Sequence, residues 1–212
     1  MGRLSRIALL GLFGLLVPGT TPTPAGAQVI GIVTGLLGSA SVQRSGGVGV
    51  EPLALRNEVR EGEVLRTGPG ARLKVTLRDD SVLSLGADTE LKLDHLAQSG
   101  PTGEPGSFFT LAGGFLHTVV GRLRPGSIFE IRSPSMVAAV RGTNWIESYS
   151  AGTTEIFVAE GRVLATSTAN RSDWALLGAG EGASFITGGP HTPVVRWGQE
   201  KINRYVEATR VP

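Results

Sequence analysis

Three histidines and no cysteine are the first chemical facts of this 212-residue chain. Without a thiol there is no cysteine nucleophile and no cysteine–zinc site. His95, His117 and His191 lie far apart in different local contexts, with no two at metal-ligand spacing. Serines are plentiful, yet no G-x-S-x-G elbow exposes one as a nucleophile. No glycine cluster takes the phosphate-cradling or dinucleotide-binding form followed by a helix. The acids need more care. Asp79, Asp80, Asp88 and Glu90 fall close together, but a calcium loop supplies six to eight oxygens at fixed spacing, and these four do not. They read as solvated turn acids, and Glu58, Glu61 and Glu63 read the same way. Paired carboxylates could cleave a glycoside, but nothing else in the chain suggests a sugar-cleaving site. The sequence therefore points to a protein that is not an enzyme and needs no cofactor or metal.

The elements that carry these residues have a short alternating cadence. In Arg72–Arg78, Leu73, Val75 and Leu77 alternate with Arg72, Lys74, Thr76 and Arg78. A strand sends successive side chains to opposite faces, so this run has one apolar and one charged face. Asp79-Asp80-Ser81 turns the chain, because short Asx and Ser side chains bond the nearby backbone. Leu83 and Leu85 resume the alternation, Gly86-Ala87-Asp88 breaks it, and Leu91 and Leu93 open a third strand. The spacing predicts one shared buried face for these leucines and Val75, with Arg72, Lys74 and Arg78 exposed. Further strands are expected at Phe108–Val120, Ile128–Ile131, Val137–Val140, Thr154–Val158 and Arg162–Ala165, and an exposed loop at Gln98–Ser107.

This is an all-β signature, either an antiparallel twisted β-sandwich or an irregular β-helix of short strands. Strand–glycine–strand units recur at Leu111–Leu116, Val158–Leu164 and Leu177–Phe185, at unequal intervals that do not support a solenoid of fixed period. After Gly188-Gly189-Pro190 the pattern turns helical. Val195, Gly198, Ile202, Tyr205 and Val206 predict one C-terminal amphipathic helix over Pro193–Ala208, docked on an open end or edge of the sheet.

The first residues bear on compartment. Arg3 and Arg6 precede the apolar stretch Ile7–Val17, and Ala25-Gly26-Ala27 supplies small residues suited to a signal peptidase. The expected organisation is a signal peptide at 1–27, a β domain at 28–187, and a linker with helix at 188–212. The apolar stretch is shorter than the roughly 20 residues that span a bilayer, so cleavage after Ala27 and a periplasmic or secreted product are expected, with no membrane span afterwards. Uncleaved, the segment would be an anchor. Cleavage removes two arginines and takes the formal charge from +2 to 0. Nucleic-acid binding would then need a basic patch in place of an overall excess, and it is not expected.

Several pieces in order resemble one family. Gly62–Gly68 (GEVLRTG) is similar to the opening strand and Thr-Gly turn of FecR domains, the periplasmic module of ferric-citrate regulators. Leu77–Leu85 (LRDDSVLSL) resembles their Leu-x-Asp-Gly-Ser turn, and Phe129–Trp145 (FEIRSPSMVAAVRGTNW) their Thr-Pro turn and Gly-Thr-x-Phe element. Val158–Val163 (VAEGRV) resembles their Glu-Gly-x-Val turn. Asp80 stands where the family usually has glycine, and Trp145 where phenylalanine is common. The resemblance spans Ile30–Ile186. It implies a periplasmic β domain used for protein contacts, possessed by anti-sigma regulators that also carry a sigma-binding region and a membrane span. A polysaccharide- or peptidoglycan-binding module is the second expectation, for which Trp145, Trp174 and Trp197 would have to share an exposed face. The Arg141-Gly142-Thr143-Asn144-Trp145 turn is the expected contact segment, with Arg141, Thr143 and Trp145 as its partner-binding residues, and an envelope protein of unknown identity as the partner.

Overall fold

The computed structural model describes residues 27–97, 106–121 and 126–211. The expected signal segment up to Gly26, with Ala25, and most of the expected Gln98–Ser107 loop lie outside these residues. Ala27 is exposed, and Gly106 and Ser107 already belong to a strand.

The first half carries β1 (Val29–Leu37), β2 (Ala40–Gln43), β3 (Val50–Pro52), β4 (Glu58–Arg60), β5 (Val64–Thr67), β6 (Arg72–Leu77), β7 (Val82–Leu85), β8 (Glu90–His95) and the long β9 (Gly106–Val119). The second half carries β10 (Ile128–Arg132), β11 (Met136–Val140), β12 (Asn144–Ser150), β13 (Thr153–Glu160), β14 (Arg162–Ser167), β15 (Trp174–Gly178), β16 (Glu181–Ile186), β17 (Val195–Arg196) and α1 (Gln199–Thr209).

The chain shuttles between two layers. The front sheet runs β4-β1-β6-β7-β9-β12-β13-β16-β17. The back sheet runs β3-β2-β5-β8-β9-β10-β11-β14-β15. Every pairing is antiparallel except β9 with β10. The result is an all-β sandwich with one short helix, the first of the two expected forms.

β9 belongs to both layers. Its residues up to Gly113 pair in the back sheet, and those from Gly114 pair in the front sheet. Gly114 sits at φ +88, and a Cβ there would meet the Thr89 Cα at 2.5 Å. Only glycine supplies both the left-handed backbone and the close approach this corner needs.

The inward residues of the two sheets form one core. Leu73, Val75, Leu77, Leu83, Leu85, Leu91 and Leu93 are all buried on it, as the alternation predicts. In the second half, Phe129 packs against Phe109 with centroids 5.2 Å apart, and Trp145 meets Phe129 edge-on at 6.1 Å.

Two sequence expectations are corrected by the helix. It begins at Gln199 rather than Pro193, because Val195 and Arg196 remain extended and pair with Gly182 and Glu181. Trp197 lies so close over Gly182 that a Cβ there would come within 2.2 Å of the indole nitrogen. That contact holds the segment against the sheet and delays the helix. In addition, Arg72 and Lys74 are half-buried, while Arg78 is exposed as expected. The helix lies across the outer face of the front sheet, with Tyr205 buried edge-on against Phe115 at 5.3 Å. Arg72 Nε donates to the Ala208 carbonyl at 3.2 Å and Lys74 Nζ to that of Val211 at 3.4 Å. Cations at the helix C-terminus satisfy carbonyls that have no partner inside the helix.

Candidate partner-binding face

The Arg141–Trp145 turn links β11 of the back sheet to β12 of the front sheet. Gly142 takes φ +65 and lets the chain cross. Beyond it, Thr143 is buried, its hydroxyl donating to the Arg162 carbonyl at 3.1 Å. The Val120 amide donates to the Thr143 carbonyl at 2.9 Å. Trp145 is wholly buried, and its indole N–H donates to Glu147 Oε2 at 3.3 Å. Thr143 and Trp145 therefore pin the crossing from inside, and a direct contact with a partner is closed to them in this fold. Arg141 alone of the three is exposed.

Arg141 lies at the margin of a larger surface. Along β11 the buried residues are Met136, Ala138 and Val140, so Val137, Ala139 and then Arg141 face outward. The pairings carry this face across the back sheet: Leu176 lies opposite Leu164, Leu164 opposite Ala139, and Ala139 opposite Glu130. A second row sets Trp174 opposite Thr166 and Thr166 opposite Val137. Trp174 is 56% exposed, Leu176 53% and Leu164 42%. No described element covers them, whereas the corresponding face of the front sheet carries the helix. A shallow groove lined by Glu130, Arg132, Val137, Ala139, Leu164 and Thr166 runs along the middle of the face.

The arginines around this apolar strip differ in their engagement. Arg132 pairs with Glu130 on its own strand at 3.0 Å. Arg141, Arg162 and Arg171 are exposed and form no ion pair among the described residues. A mixed surface of large apolar side chains and unpaired guanidinium groups has the composition of a protein interface, where aromatic residues and arginine are enriched.

The remaining polar residues are occupied locally. His117 Nε2 lies 2.7 Å from Asn144 Oδ1, and burial pulls the imidazole below its ordinary pKa against the opposing effect of that bond. His95 bonds Glu61 at 2.9 Å, and His191 bonds Asp173. The three histidines thus serve three separate places. Asp79 accepts the Ser81 amide at 3.0 Å, and Asp80 and Asp88 hold left-handed turn positions at φ +64 and φ +50. Asp80 so adopts the backbone that a glycine would take there. Glu90 pairs with Arg66, Glu58 with Arg60, and Glu63 with Arg44. Among the described residues no three potential ligands converge on a metal site.

The three tryptophans are also dispersed. Trp145 is in the core, and Trp197 stacks on Phe157 at 5.2 Å beneath the Lys201 ammonium at 3.8 Å. Only Trp174 stands exposed on the back sheet, so the three form no common stacking platform.

Sequence reasoning named Arg141 and Trp174 and missed their connection through Arg162, Leu164 and Leu176. A trace of it exists in Trp174-Ala175-Leu176-Leu177, which is apolar on both faces. An antiparallel sheet with one wet face alternates more cleanly than that. Glu147 was also missed, although a carboxylate in the inward register of β12 is legible once Trp145 is placed inside.

Comparison with known proteins agrees with this architecture. Residues 63–164 match the family model described as FecR protein. No curated protein matches the sequence. Two crystal structures, each of a candidate anti-sigma factor from Parabacteroides distasonis ATCC 8503, share the fold with a TM-score of 0.55 and 16% identity. The similarity covers 68% of this chain and spans 63% of one of those chains and 64% of the other. Among the described residues no helix is long and apolar enough to cross a membrane.

Proposed function

We propose that the chain is an exported, non-catalytic FecR-domain protein that binds another protein in the periplasm or cell envelope as part of a signalling or regulatory process. The observation that carries this reading is the bare outer face of the back sheet, where Leu164, Trp174 and Leu176 stand exposed beside Arg141 and Arg162. Apolar area of that kind gains free energy when a partner removes it from water. The FecR family match supports a regulatory role, and the likeness to candidate anti-sigma factors is in keeping with it. Within this reading the chain is cut after Ala27, residues 28–187 form the working domain, and 188–212 are the linker and C-terminal helix.

A photo-cross-linking residue at position 164, introduced into the full chain in its native host, tests the proposal. The expected result is one recurrent envelope protein cross-linked at 164 and not from position 32 on the front sheet. No protein adduct at position 164, with saturable binding to purified peptidoglycan or polysaccharide, would replace this reading by the glycan-binding one.

A further inference from the structure

We propose that the free edge of β15 accepts an extended acidic segment of the partner as an added strand of the back sheet. This rests on the protein-binding reading above and specifies the partner's chemistry. β15 pairs only with β14 among the described residues. The Ser167 amide donates to the Asp173 carbonyl at 2.8 Å just before the strand begins. Hydrogen-bonded and non-hydrogen-bonded pairs alternate along an antiparallel ladder. The backbone groups of Trp174, Leu176 and Gly178 therefore point away from β14.

Gly178 shows the outward direction directly, since its N–H donates to Glu181 Oε2 at 2.7 Å. A carboxylate of the following strand takes the position that a neighbouring strand's carbonyl would occupy. Glu181 blocks only the last of the three outward positions. Trp174 and Leu176 keep an open edge.

Exposed edge strands are usually guarded by lysine, proline or inward charge. β15 instead carries large apolar side chains at both open positions. A strand laid beside it would place alternate side chains next to Trp174 and Leu176 on the outer face. Charge selects among such strands. Arg162 lies opposite Gly178, and Arg171 sits in the β14–β15 connection, neither with an ion pair among the described residues, while the acids nearest β15 are engaged. Glu130 is held by Arg132, Asp173 by His191, and Glu181 by the Gly178 amide. The exposed Glu160 ends β13 in the front sheet. The complementary segment alternates apolar residues with carboxylates.

The test uses the full chain and three synthetic peptides of about eight residues, enough to pair along a strand of ordinary length. One alternates valine and glutamate, one valine and lysine, and the third is the glutamate peptide with alternate backbone nitrogens methylated. Calorimetric titration and amide chemical shifts are the readouts. The glutamate peptide is expected to bind saturably, shifting the amides of Trp174–Gly178. The lysine and N-methylated peptides, and the glutamate peptide on Arg162→Glu, should each bind about tenfold more weakly or worse, the scale of losing a charge contact or backbone bonds. Equal binding of the N-methylated peptide would overturn strand addition, and equal binding of the lysine peptide would overturn the acidic preference. Saturable binding of peptidoglycan fragments at Trp174 without peptide binding would also overturn it. A protein adduct at position 164 that persists in Arg162→Glu and leaves the Trp174–Gly178 amides unshifted would sink this inference while leaving the protein-binding reading intact.

Discussion

Trp145 and Glu147 point the same way from β12, and the indole N–H donates to the carboxyl of its neighbour at 3.3 Å inside the closed core. Glu147 is completely buried, and its second oxygen has no partner among the described residues. Loss of hydration raises its pKa from an ordinary 4.5 to about 8, against the smaller opposing effect of the indole bond. The side chain is a neutral acid in the folded protein at pH 7.

This fixes the sign of a pH effect. A carboxyl with a raised folded pKa contributes stability that is fully present below its unfolded value and is lost as pH climbs toward about 8. His117, lowered by burial, acts in the opposite sense below its ordinary 6.5. The clean window is therefore pH 6.5–8.5. Across it the unfolding free energy of the native chain is expected to fall, and that of Glu147→Gln to stay nearly level. Parallel pH profiles for the two chains in urea titrations would refute the assignment.

The register of the first half is open to a paired comparison. Leu77 is buried and Arg78, next along, is exposed, its guanidinium donating to the Val29 carbonyl. Leu77→Ala is expected to cost about 2–5 kcal/mol, and Arg78→Ala to fall within about 0.5. Equal shifts of the denaturation midpoint would mean that the strand is misplaced.

At the sheet crossing, Gly114→Ala should be among the most damaging single-methyl changes in the chain. It adds left-handed strain to a clash with Thr89 backbone, and a loss of about 3 kcal/mol or more is expected. Gly46→Ala has similar φ but open space around it, and should lose only the strain, about 1 kcal/mol. Similar melting temperatures for the two variants would show that β9 does not bend at this point.

The helix makes a different demand. Tyr205 packs on Phe115 and Trp197, and its hydroxyl bonds Ser148 and Glu155. Tyr205→Ala should release the helix from the front sheet and cost about 3–5 kcal/mol. Faster hydrogen exchange at Gln199–Thr209 would check it, and unchanged protection there would argue that another contact holds the helix.

These residues also show how far the sequence could be read. Alternation in Arg72–Leu93 located strands and core face together, because a strand's period of two maps directly onto inside and outside. The turn acids Asp79, Asp80 and Asp88 were legible for the same local reason, but Glu63, expected to be a solvated turn acid, is buried and pairs with Arg44 across the chain. Contacts made across long separations were not. Nothing local marks Lys74 as a partner of Val211, or sets Trp197 on Gly182 so that the helix starts late. The Arg-Gly-Thr turn was found by motif, but the motif could not say that Thr143 and Trp145 face inward. The proposed binding face needed the β11–β14–β15 register, which places residues 139, 164 and 176 in one row. Long-range pairing of that kind leaves no periodic trace in a single chain.

Whether the back sheet's outer face is the working surface is read by site-specific photo-cross-linking at Leu176. One recurrent envelope-protein adduct is expected at position 176, lost in Arg162→Glu while the fold is retained by circular dichroism. Adducts at Ile32 on the front sheet with none at 176 would contradict it.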